Sequence, residues 1–168
     1  TPETAARLRR IVEIISRHRA VLVFTNTRDE AELLGHRLAR LLGEEAVGVY
    51  HGSLDREERE GLEEGLRSGR VRAVVTTSSL ELGIDIGHID AVIQYSSPRQ
   101  VIKLIQRIGR SGHRLGKKAL GHVITRDVDD YLESLVIARK ALNNELEKDV
   151  EYHEKALDVL HHQIAGMI

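Results

Sequence analysis

The sequence predicts an α/β domain: a parallel sheet with helices on both faces and a helical extension at its C-terminus. Short apolar runs alternate along the chain with segments whose apolar residues recur at helical spacing. The runs are apolar at successive positions, so both faces of each strand are covered. Hydrophobic residues make up 41% of the chain, enough to bury a core around such a sheet.

The elements follow in order. Leu8, Ile11, Val12 and Ile15 predict a helix over 3–18. AVLVFT (20–25) reads as a strand. Thr27 and Glu30 have capping-box spacing, and Ala31, Leu34, Leu38 and Leu41 mark the buried face of the helix they start, which Gly43 ends. AVGVYH (46–51) is a second strand, and Asp55 caps a charged helix ending at Ser68-Gly69. VRAVVTT (71–77), DAVIQYS (90–96) and GHVITR (121–126) are three more strands. Helices are expected over 99–113 and 128–142. The domain therefore runs over 1–142. Residues 143–152 form a polar linker, and Ala156, Leu157, Val159, Leu160, Ile164 and Ile168 predict one further amphipathic helix.

Composition narrows the function. No apolar run approaches the roughly 18 residues of a membrane span, and no signal peptide is visible, which predicts a cytoplasmic protein. Without cysteine there are no disulfides or thiolate metal sites. The nine histidines lack liganding spacing, so no metal site is expected. The chain opens on Thr1 and closes on Ile168, which predicts a longer parent.

Charge is the most informative feature. The net charge is only -1, yet RQVIKLIQRIGRSGHRLGKK (99–118) holds no Asp or Glu. On a helix Lys103, Gln106, Arg107, Arg110 and Arg114 fall three and four apart on one polar face, with Val101, Ile102, Ile105 and Ile108 largely opposite. Arginine grips phosphate bidentately, so a local anion partner is one reading and a solvated basic face the other.

Ligands of parallel sheets gather at the carboxyl ends of the strands. There the sequence places Thr25, Asn26, Thr27 and Arg28, then His51, Gly52 and Ser53, then Thr77 and Ser78. Such groups beside helix N-termini suit phosphate oxygens, and they equally serve as plain helix caps. In LELGIDI (80–86), Gly83 permits close backbone approach, and Asp85 can accept from a ribose hydroxyl or cap a turn.

FTNTR, YHGSL, TSSLELGIDI and QRIGRSGHR, in this order, resemble motifs IV, IVa, V and VI of superfamily 2 helicases over residues 20–126. The chain is similar to the second RecA-like motor domain, most of all in the large-helicase-related (Lhr-like) branch. The resemblance implies an ATP-dependent 3′-to-5′ helicase. Thr25, Asn26, Arg28, His51, Gly52, Ser53, Thr77 and Ser78 would contact the nucleic-acid backbone. Gly83 and Asp85 would approach the nucleotide, Gln106 would couple the two ligands, and Arg110 would be the arginine finger. Where the family's motif VI ends in a second arginine this chain has His113, so Arg114 or His113 takes that place, with Arg107 a further basic candidate. ALDVLHHQI would begin a winged-helix domain. The chain holds no P-loop and no acidic box. The resemblance places both, with the ligands of ATP-bound Mg²⁺, on a first RecA-like domain of the same parent. The isolated chain is therefore expected to hydrolyse no ATP. DNA is the expected strand, with RNA or a hybrid as alternatives.

Two other readings use the same residues. A stand-alone nucleic-acid-binding module would use the basic helix without ATP, but aromatics at 3% offer few stacking platforms. A dinucleotide enzyme would need a G-x-G-x-x-G after the first strand, which is missing.

Overall fold

The computed structural model describes residues 1–77, 88–111 and 119–143. Five strands form one sheet in the order β2-β3-β1-β4-β5. They are β1 (Val21–Phe24), β2 (Val47–Tyr50), β3 (Ala73–Thr76), β4 (Ala91–Tyr95) and β5 (Gly121–Ile124), and every pairing is parallel. This is the RecA-like arrangement. Five α-helices accompany the strands: α1 (Pro2–Ser16), α2 (Arg28–Leu42), α3 (Arg56–Ser68), α4 (Val101–Ile108) and α5 (Val128–Leu142).

The central strand explains the layers. Val21 and Val23 face one way and pack with Ile11, Ile14 and Ile15 of α1 and Ala31, Leu34 and Leu38 of α2. Leu22 and Phe24 face the other way, toward Leu66 of α3. On this second face Val101 and Leu104 of α4 join Ile137 of α5 and Val123 at the β5 end. All four β1 residues are fully buried, as a run apolar on both faces requires.

Local chemistry sets the helix ends. Asp55 and Glu58 form a complete capping box on α3, and Gly69 closes that helix in the left-handed conformation at φ 84°. The start of α2 differs from its expected box. Thr27 Oγ1 accepts from Glu30 N, but the Glu30 carboxylate accepts from Asn26 N, one residue upstream of the cap. Leu41 is exposed, not buried as its spacing suggests, because the α2 contact stripe runs through Ala31, Leu34, Gly35 and Leu38.

The basic helix is shorter than its sequence pattern. α4 ends at Ile108, and Gly109–Ser111 form a 3-10 turn. Ser111 Oγ donates to Ile108 O at 2.8 Å and accepts from Leu120 N at 2.9 Å, which ties the helix end to the approach to β5. Gly109 is thus a helix terminus, not an interior glycine.

α4 lies against β5 because Gly121 has no side chain. A Cβ there would stand 2.5 Å from both Cγ1 and Cδ1 of Ile108 and 3.0 Å from its Cγ2. A branched side chain met at three atoms cannot swing aside cheaply. Gly121→Ala is expected to destabilise the chain by about 1–3 kcal/mol, and the double variant with Ile108→Ala is expected to lose less than the sum of the two single losses. Urea unfolding of the four variants in the cycle measures this. Additive losses would mean that the two positions do not touch.

Candidate functional site

Because every strand runs the same way, the loops after all five open on one edge of the sheet. Tyr50 and Phe24 both pair with Thr76, so His51, Thr25 and Thr77 follow at one level. The three hydroxyl- and amide-rich loops expected from the sequence therefore stand side by side, in the order His51, Thr77, Thr25.

Their side chains are not equally available. Thr25 is fully buried, its N donates to Thr76 O at 2.8 Å, and its Oγ1 donates to Thr27 O at 3.0 Å. It braces β1 against β3. Asn26 is exposed, but its Nδ2 donates to Ser97 O at 2.7 Å. Arg28, Gly52 and Ser53 are exposed, and Thr77 is half-buried. His51 is buried between two partners, Glu32 Oε1 2.8 Å from Nε2 and Ser53 Oγ 2.9 Å from Nδ1. Glu32 can only accept, which makes Nε2–H the donor to it, and Nδ1 shares the second hydrogen bond with the Ser53 hydroxyl. Glu32 also lies 3.6 Å from Arg28 Nε, so one carboxylate orients two strand-contact candidates. Sequence reasoning missed Glu32; its one local signal is the i,i+4 spacing to Arg28.

The basic helix divides its charges. Gln106 is exposed and Arg110, in the 3-10 turn, is half-exposed. Arg107 is different: it is 2% exposed, its Nη1 donates to Gln94 Oε1 at 2.7 Å, and its guanidinium lies 5.2 Å from the Phe24 ring centre. The sequence reading that put Arg107 on a polar face with the finger candidates is corrected here. Arg107 follows Val101 and Leu104 at steps of three, so it shares their buried side. Ile102, expected opposite the charges, is exposed. A cation is tolerated in this place because an amide oxygen and an aromatic face receive it. Ser78, Gly83, Asp85, His113 and Arg114 lie outside the described residues, as does the expected tail helix.

The β4 and β5 loops add a centre that the sequence reading did not single out. Asp130, 7% exposed, accepts from Ser97 N (2.7 Å) and Ser96 Oγ (2.9 Å) on Oδ1 and from Arg126 N (2.8 Å) on Oδ2. Burial pushes its carboxyl up, but the Ser97 and Arg126 amides, the Ser96 hydroxyl and the Arg126 charge outweigh it and hold it below the usual carboxylate value. A depressed folded-state value stabilises the fold above the unfolded-state pKa near ~3.9, and that contribution is lost as pH falls through the lower folded value. Asp130→Asn is therefore expected to flatten the acid side of the stability-versus-pH curve, measured by urea unfolding between about pH 3 and 6. An unchanged slope would count against this. Beside Asp130 a polar cleft of about 380 Å³ is lined by Arg99, Arg126, Asp127, Asp129, Asp130 and Glu133. Four carboxylates against two arginines make it a poor phosphate site.

Similarity to known proteins agrees with this geometry. Residues 5–115 match the family described as "Helicase conserved C-terminal domain", and the chain belongs to that family. It has the RecA-like fold of superfamily 2 helicase C-terminal domains and is similar to those of the Lhr branch. It is 42% identical over 164 residues to the ATP-dependent helicase Lhr-Core protein 2 of Thermococcus barophilus, covering 96% of this chain and 19% of that one. It is 37% identical over 184 residues to the Lhr helicase/uracil glycosylase of Escherichia coli, covering 91% of this chain and 12% of that one. The structure of the Mycobacterium smegmatis helicase Lhr bound to ssDNA and AMP-PNP superposes with a TM-score of 0.78 at 37% identity, over 84% of this chain and 19% of that one. The C-terminal domain of the DEAD-box protein Dbp5 superposes with a TM-score of 0.67 at 26% identity, over 85% and 81%. The chain spans about a fifth of the length of the Lhr-Core relatives it matches.

Proposed function

We propose that this chain is the second motor domain of an ATP-dependent 3′-to-5′ helicase, supplying the strand grip and the arginine finger but only half of the ATPase site. The observation that carries the reading is the single edge on which His51, Thr77 and Asn26 stand at the ends of neighbouring strands, with Gln106 and Arg110 on a carboxylate-free segment of the same domain. Small donors at strand ends and helix starts suit phosphodiester oxygens. Asn26 offers its second amide proton, Arg28 its guanidinium, and the loop around Gly52 and Ser53 its exposed surface. Thr25 contributes by fixing the loop, since its hydroxyl is already bonded within the domain.

Gln106 and Arg110 fit a triphosphate as donors. ATP supplies the phosphoryl group, whose transfer develops negative charge on its oxygens, and a half-exposed guanidinium approaching from this domain would stabilise that charge. The P-loop, the acidic box and the Mg²⁺ ligands belong, in this reading, to a first RecA-like domain of the same parent. Gly83 and Asp85 would border the nucleotide, and Arg114 or His113 would assist Arg110. Ser78 would extend the strand contact beyond Thr77. A relative solved with ssDNA and AMP-PNP supports single-stranded DNA as the strand and a nucleoside triphosphate as the fuel. Residues 143–168 would lead from α5 into a winged-helix domain, and the parent would work in the cytoplasm.

The test uses the chain alone. It is expected to release no phosphate from ATP with DNA and Mg²⁺, and to bind single strands weakly, without sequence preference, and less at higher salt. Turnover that copurifies with the chain through successive columns, or binding indifferent to salt, would overturn the reading.

A further inference from the structure

We propose that Asp130 is a positioning residue that couples the strand-contact loop after β1 to the entry of α4, the helix that leads to Gln106 and Arg110. The inference rests on the function proposed above and goes beyond it. Its basis is a closed ring of hydrogen bonds through the loops after β1, β4 and β5, three neighbouring strands of the sheet.

The ring can be followed atom by atom. Asp130 Oδ1 accepts from Ser97 N at 2.7 Å. Ser97 O accepts from Asn26 Nδ2 at 2.7 Å, and Asn26 N donates to Glu30 Oε2 at 3.3 Å. Glu30 Oε1 accepts from Arg126 Nη1 at 2.9 Å, and Arg126 N returns to Asp130 Oδ2 at 2.8 Å. Asp130 is itself fixed at the start of α5, since its N donates at 2.8 Å to Oδ1 of Asp127, the N-cap of that helix. The carboxylate thus joins the start of α5 to the exits of β4 and β5.

Two features give the ring leverage on α4. Ser96 and Arg99 hold φ of 69° and 67°, a left-handed backbone that costs a non-glycine residue about 1–2 kcal/mol. The segment bends this way between β4 and α4, and Asp130 holds it there through Ser96 Oγ and Ser97 N, while Arg99 N donates to Ser97 Oγ at 3.2 Å. Asn26 is the second feature. An amide nitrogen has two protons, and fixing one on Ser97 O sets the direction of the other toward a ligand. A phosphate pulling on Asn26 therefore pulls on the strained entry of α4, and a shift of α4 re-aims Asn26. Asp130 touches neither ligand and holds the joint between them.

The experiment measures ATP turnover of the full-length helicase with and without single-stranded DNA. In Asp130→Asn the amide that replaces one oxygen repels a donor of the ring. Turnover without DNA is expected to stay within about twofold, while stimulation by DNA falls roughly tenfold, a coupling loss of ordinary size. Glu30→Gln opens the ring on its far side, away from α4, and is expected to show the same split. It decides alone if Asp130→Asn does not fold. Unchanged stimulation in both variants overturns the proposal. So does a parallel fall of both rates in step with the folded fraction, since a merely structural carboxylate would act that way. A wild-type enzyme that DNA does not stimulate removes the functional reading itself, and the proposal with it.

Discussion

Arg110→Ala is expected to lower kcat of the parent enzyme by about 10³-fold or more while nucleotide affinity falls far less. The expectation follows from where the charge is needed. Ground-state ATP already carries its charge and is held mainly by the groups around it. The transition state spreads further charge over the transferring oxygens, and a guanidinium placed there acts most at that moment. Arg110→Lys should rescue little, because an ammonium cannot reproduce the planar fork. Arg110 sits half-exposed in a 3-10 turn, and thermal melts accompany the kinetics because loss of the fold would also abolish turnover. Pre-steady-state turnover with a titration of a non-hydrolysable analogue separates the two effects. Near-normal kcat in Arg110→Ala would end the finger reading. Arg114→Ala and His113→Ala in the same assay identify the second group: whichever matches the Arg110 loss holds that place.

Arg107→Ala is expected to do the opposite: to destabilise the domain. The truncation removes a cation that bridges Gln94 and the Phe24 ring, leaves Gln94 Oε1 short of a donor, and opens a void under α4. Together these should cost about 3 kcal/mol, or roughly 6–12 °C in a chain of this length. Arg107→Met fills most of the void but still strands Gln94. Pairing it with Gln94→Leu removes the stranded oxygen but also the Gln94 Nε2 donor to Ser96 O, so the pair should recover only part of the loss. Thermal melts of wild type, Arg107→Met, Gln94→Leu and the double variant give the cycle. A mild Arg107→Ala with a severe kinetic defect would instead return Arg107 to the site.

The contrast between these two arginines shows what the sequence could reveal. The strands were legible because VLVF and AVVT are apolar at successive positions, which only a doubly covered sheet accommodates. Their parallel order then makes the site edge legible too, since every strand end arrives on one side. The interior of the site was not. Glu32 reaches His51 across two elements, and Asp130 gathers Ser96, Ser97 and Arg126 from the two segments after β4 and β5; no local spacing encodes either meeting. Arg107 misled because charge suggests exposure, whereas three-residue steps from Val101 and Leu104 turn it inward. The basic helix was drawn too long because its polar periodicity runs on past Gly109, while the backbone is stopped there by Ser111 bonding to Ile108 and Leu120.

The central strand also imposes a schedule on synthesis. β1 is the first strand made and lies in the middle of the sheet, yet both its neighbours come later, one beginning at Ala73 and the other at Ala91. Until they emerge from the ribosome, Val21–Phe24 is an apolar ribbon with two open edges, the kind of segment that other nascent chains and chaperones seize. The strand sequence most committed to the native core is thus the one most dangerous to leave unfinished. Expression of C-terminal truncations ending before Ala91 should yield aggregates rather than smaller soluble domains.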